Sequence, residues 1–140
     1  MKKDPMIDRE TYTKIVNLMP ILTVDILINK SGKFLLLRRV NEPLKGVYWT
    51  PGGRILKGER AIQAARRKVI EETGLKPKKI RLLGYYETLS KKNIFGLDSI
   101  HTTSIVFECT DFTGKIKLDN QHIDYKWSNT IPRQFIIRRT

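Results

Sequence analysis

The stretch Gly52–Leu75, "GGRILKGERAIQAARRKVIEETGL", sets the reading of the whole chain. Paired glycines open it, and residues 60–73 hold alanines and alternating charges that favour a helix. Gly74 falls where a left-handed C-cap belongs. Along that helix Arg67 and Glu71 are four apart, as are Lys68 and Glu72, so they share one stripe. Taken alone, such a run of charge describes a solvated face laced with ion pairs. Two adjacent carboxylates beside a glycine turn also describe a seat for a hard cation such as magnesium, bound through oxygen together with substrate phosphates.

Outward from this helix, the flanking segments predict strands. Residues 21–29, "ILTVDILIN", and 33–39, "KFLLLRR", are β-branched or apolar and are joined by "KSG", which predicts a hairpin. Residues 47–50, "VYWT", predict a short strand, and "VNEPLKG" before it a loop. Beyond the helix, "KPKK" reads as a turn, 79–89 as a strand, "SKKNIFGLD" as a loop, 101–110 and 123–128 as further strands, and 130–140 as ending in a helical turn. Residues 8–19 place Tyr12, Ile15, Val16 and Met19 at helical spacing behind an Asp8 cap. Strands on both sides of one central helix imply an α/β or α+β sandwich with a mixed sheet. The 140 residues form a single domain in this reading, 1–140.

The single cysteine, Cys109, permits neither an internal disulfide nor a cysteine zinc site and reads as a small core residue. No segment has the length and apolarity of a membrane span or a signal peptide, so an intracellular, cytoplasmic protein with no membrane partner is expected. Lysine and arginine outnumber acidic residues 27 to 14, a net charge of +13. That field attracts phosphate-bearing partners. The basic residues are spread along the chain, with no arginine-rich arm and no zinc finger, so nucleic acid is neither required nor excluded.

Spacing then adds a resemblance. Gly53, five residues, Glu59, seven residues, Arg67, an apolar Val69, Glu71-Glu72, and after one residue Gly74-Leu75 together resemble the Nudix box. The resemblance implies a Nudix-type α/β/α sandwich with a mixed β-sheet. It also implies a hydrolase acting on nucleoside diphosphates linked to another group, with Mg2+ or Mn2+ as cofactor. One position departs: the family has glutamate directly after the arginine, where this chain has Lys68. A lysine there repels additional cations. The box still holds one, through Glu72 helped by Glu71 and Gly52.

Residues 19–54 and the late segment "DNQHIDYKW" look like the GDP-mannose mannosyl hydrolase branch, which also has an incomplete box. That likeness implies a nucleotide-sugar substrate, GDP-mannose, attacked by water at sugar C1 with release of GDP. It implies Gln121 as a metal ligand, His122 as general base, Asp25 as a substrate contact and a homodimer. The branch tends to have a histidine where this chain has Thr88. By our own inference Asp124 orients the His122 imidazole. Arg39, Arg54 and Arg67 are candidates for stabilising the leaving diphosphate, because guanidinium forks match phosphate oxygens; Arg67 is equally suited to bracing the carboxylates. His101 and the Tyr48-Trp49 pair read as structural. Two other functions stand beside this one: a Nudix pyrophosphohydrolase that cleaves the diphosphate of a nucleoside triphosphate or nucleotide sugar, and a basic RNA-binding Nudix domain with little turnover.

Overall fold

The structure is a computed structural model and describes residues 1–41, 45–90 and 99–131. Among the described residues two helices and seven strands follow in order: α1 (Arg9–Leu18), β1 (Ile21–Lys30), β2 (Lys33–Arg39), β3 (Tyr48–Trp49), β4 (Gly52–Arg54), α2 (Ala61–Thr73), β5 (Lys76–Ser90), β6 (Ile100–Thr113) and β7 (His122–Ser128). They form an α/β/α arrangement around a mixed sheet, as expected. The strand order is β3-β2-β1-β6-β5, with β4 added to β1 and β7 to β2. Among the described strands only β1 and β6 run parallel, in register from Ile21↔Thr102 to Ile28↔Cys109.

β1 organises the site because its partners change along its length. Its end pairs with β2 at Asn29↔Phe34 and Lys30↔Lys33, across a turn with positive φ at Ser31 and Gly32. This is the primed geometry that matches strand twist. Nearer its start β1 pairs instead with β4, at Thr23↔Arg54, Val24↔Gly53 and Asp25↔Gly52. The glycine pair is therefore a strand rather than a turn. A Cβ at position 52 would lie 2.3 Å from the Val24 carbonyl oxygen and 2.9 Å from Asp25 Oδ1. Only glycine lets the two backbones approach this closely.

The period of two along β1 and β6 sorts side chains between the faces. Val24, Ile26, Ile28, Phe107 and Cys109 pack with Ala64, Ala65 and Val69 of α2. Leu27 and Val106 pack on a second cluster with Trp49, Leu83 and Tyr86. Fully buried side chains such as Ile26, Leu35 and Leu37 each contribute about 1.5–3 kcal/mol relative to exposure. Asp8 caps α1 by accepting from the Thr11 amide at 2.9 Å. Gly74 closes α2 with φ 73°, and its amide donates to the Ile70 carbonyl at 3.0 Å.

Two boundaries differ from the sequence reading. "KPKK" is not a turn but the start of β5, where Lys76 pairs with Thr113 and Pro77 with Phe112. β5 ends the strand order, and an edge strand tolerates proline and lysine. β6 runs on to Thr113, three residues past the end of the predicted 101–110 strand. Most of the loops after Val40 and Ser90, and the expected helical turn beyond Ile131, lie outside the described residues.

Candidate active site

A cleft of about 350 Å³ opens over β1 and β4. Its walls come from distant parts of the chain: Asp25 from β1, Arg39 from β2, Gly52 and Gly53 from β4, Glu72 from α2, Tyr86 and Thr88 from β5, and His122 at the start of β7. Helix α2 delivers Glu72 because Val69 and Ala65, on the same face, are locked in the core. β7 delivers His122 because it pairs with β2, with a register shift between Arg38 and Arg39 that sets His122 against Arg39.

Glu72 is buried, with 2 % of its surface exposed. The Gly52 amide donates to its Oε1 at 2.7 Å. Burial pushes its pKa up to about 7, against the lowering influence of Lys68, the Gly52 amide and Arg39. His122 Nε2 lies 3.8 Å from Glu72 Oε2, and Nδ1 lies 2.7 Å from Asp119 Oδ1. In the tautomer with the proton on Nδ1, the ring donates to Asp119 and keeps Nε2 as its acceptor. Glu72, Asp119 and His122 each offer one ligand atom, and these atoms lie within 4.8 Å of one another. Two carboxylates and an imidazole at this spacing fit a divalent cation.

At the other wall, Asp25 is buried and accepts four hydrogen bonds. Trp49 Nε1 at 3.3 Å and the Thr50 hydroxyl at 3.0 Å donate to Oδ1; the Tyr86 hydroxyl at 2.7 Å and the Ser104 hydroxyl donate to Oδ2. Burial raises its pKa, and these four donors oppose the rise. The same burial, reinforced by the negative charge of Asp25, raises the Tyr86 phenol. A carboxylate has about four lone-pair sites, and here all four are used by the protein. Asp25 lines the cleft and also fixes two of its wall residues, Trp49 and Tyr86.

The remaining candidates sit elsewhere. Arg67 is almost fully buried, with its guanidinium engaged by Glu59 at 2.8 and 3.0 Å, by Glu71 at 3.3 Å and by the Arg54 carbonyl at 2.9 Å. It braces the loop before α2 and does not face the cleft. Glu59 is held ionised by that guanidinium, its pKa lowered. Glu71 is partly exposed and pairs with Arg67 and Lys68. Arg54 lies outside the cleft lining, pairs with Asp4 at 2.8 Å and stacks on the Tyr12 ring. Gln121 is exposed, and its carbonyl accepts from the Val40 amide. Gly52 stays in the cleft lining, where its N–H donates to Glu72. Asp124 does not orient the imidazole; it accepts from the Tyr48 hydroxyl at 2.7 Å. Asp119 takes that place. Its one sequence signal is a carboxylate three residues before the histidine in "DNQH". Trp49, read as a packing residue, lines the cleft, as does Thr88.

Comparison with known proteins gives the family and the fold. The family described as NUDIX domain matches residues 19–130. An ADP-ribose pyrophosphatase of Methanocaldococcus jannaschii is 36% identical over 83% of this chain and 67% of its own length. A low-salt glycan biosynthesis protein of Haloferax volcanii is 32% identical over 89% of this chain and 81% of its own. The crystal structure of a MutT protein from Methanosarcina mazei superposes with a TM-score of 0.66 at 29% identity, covering 84% of this chain and 89% of the other.

Proposed function

We infer the activity from one established fact: the chain belongs to the NUDIX family. It is a Nudix hydrolase with a candidate metal-binding triad. We propose that its substrate is a nucleotide sugar, GDP-mannose in the first instance, cleaved by water at sugar C1 to release GDP. The observation that bears this reading is the Asp119–His122 pair beside buried Glu72, at one end of a cleft whose other wall is aromatic. A Mg2+ or Mn2+ ion held by Glu72 and Asp119 would neutralise charge on the departing diphosphate.

The chain's own groups do the rest. Asp119 fixes the imidazole tautomer, so that Nε2 of His122 takes the proton from the attacking water. Arg39, in the cleft lining, binds diphosphate oxygens. Trp49 and Tyr86, fixed by Asp25, wall the space for the base or sugar. Of the two relatives, one is named for ADP-ribose, a nucleoside diphosphate bearing a sugar, and the other for glycan biosynthesis. The first name supports a sugar-bearing diphosphate as the substrate class, and the second a role with sugars. We further propose a homodimer.

A second reading, phosphoanhydride cleavage, is favoured by the pyrophosphatase relative. Hydrolysis in 18O-water separates the two. Label in mannose with GDP released supports attack at C1; label in phosphate with GMP released supports attack at phosphorus. No turnover across a panel of nucleotide sugars and triphosphates would overturn both.

A further inference from the structure

We propose that Lys68 acts as a resident cation of this site, taking the place of a second divalent ion, so that the chain binds one ion and phosphorus is deprived of a second metal-activated attack. This rests on the reading that a divalent ion is held by Glu72 and Asp119, beside the His122 base.

The Lys68 side chain is folded inward, with 14% exposure. Its Nζ lies 3.5 Å from Glu71 Oε2 and 3.9 Å from Glu72 Oε2. The arm runs along Gly53, where a Cβ would come within 2.8 Å of Lys68 Cε and 3.2 Å of Nζ. The missing side chain at 53 is what gives the lysine this path. Glu71 also receives Arg67, at 3.3 Å. An ion bridging Glu71 and Glu72 would have to enter space that the ammonium holds, against its charge and that of the guanidinium. Glu72 Oε2 is approached by His122 Nε2 as well, at 3.8 Å, and Asp119 stands behind that ring. One ion is therefore accommodated towards His122, and the Glu71 side is already neutralised. Substrate preference follows. With a single ion on the diphosphate, a leaving group is stabilised and water must be activated by a side chain, which favours attack away from phosphorus.

The test counts ions by titrating the purified full chain with Mn2+ and following free Mn2+ by electron paramagnetic resonance. Wild type is expected to bind one ion per chain and Lys68→Glu two. Lys68→Met is expected to bind one ion about 10-fold tighter, because a like charge is removed. In parallel, Lys68→Glu should shift 18O from sugar towards phosphate. A wild-type chain that takes up no Mn2+ overturns the reading of the site and this proposal together. If wild type and a folded Lys68→Glu both take up one, the proposal falls and the site reading stands. Should Lys68→Glu fail to fold, an unchanged Mn2+ affinity in Lys68→Met overturns the proposal.

Discussion

Burial holds the Glu72 carboxyl near neutrality, at about 7 against an ordinary 4.5. Below 4.5 the group is protonated in the folded and the unfolded chain alike. Between 4.5 and 7 the folded chain keeps a proton that the unfolded chain has lost. The stability of the metal-free protein from this group is therefore full at low pH, falls as pH rises through that window, and levels off above it. The expected loss is on the order of 3 kcal/mol, measured by urea unfolding in EDTA from pH 4 to 8. Glu72→Gln should flatten the profile and abolish metal-dependent turnover. His122→Ala should lower turnover roughly 100-fold, the usual size of a general-base effect. If the imidazole is base rather than ligand, that variant keeps its Mn2+ affinity. Asp119→Ala should lower activity about 10- to 100-fold by releasing the imidazole. Activity equal to wild type in Asp119→Ala would remove that residue from the site.

Helix α2 and the loop before it are joined by one buried ion pair. Arg67 and Glu59 have side chains only 1% and 3% exposed, so removing one partner strands a charge in the interior. Arg67→Ala is expected to cost about 3–5 kcal/mol, read as a lower urea midpoint. A variant that lost activity at unchanged stability would contradict the bracing role. α1 depends on a smaller device: Asp8→Ala should fray its first turn, seen as faster hydrogen exchange there. Elements with a strong local signal were legible in the sequence. The Asp8 cap, the Gly74 cap and the apolar runs of β1 and β2 are all dictated by nearby residues. β4 was not, because Gly52-Gly53 has no strand propensity and is extended only by pairing with β1. The opening of β5 was missed for the same reason, since lysines and a proline are tolerated there by its place at the edge.

Across the whole molecule, a net charge of +13 should draw an anionic substrate into the cleft. The kcat/KM for a nucleotide sugar is then expected to fall as salt rises from 50 to 500 mM, because screening shortens the reach of the field from about 14 Å to about 4 Å. Insensitivity to salt would show that only local contacts matter. Among the described residues no helix is long and apolar enough to cross a membrane. Light scattering on the eluting protein checks the proposed homodimer, with twice the chain mass expected.

Residue spacing within Gly52–Leu75 by itself determined the family and the position of Glu72, because loop, helix and cap are contiguous and their geometry is set by the covalent chain. The hydrophobic pattern likewise located the long strands β1 and β2 that build the sheet. Which charges meet was decided only by tertiary structure. Arg67 turned inward to Glu59, Arg54 outward to Asp4, Asp119 displaced Asp124 as partner of His122, and Asp25 was enclosed by donors as far away as Ser104. Each of these outcomes depends on burial and on which strands pair across long separations, and a buried charge takes whichever partner the packing brings within hydrogen-bond reach.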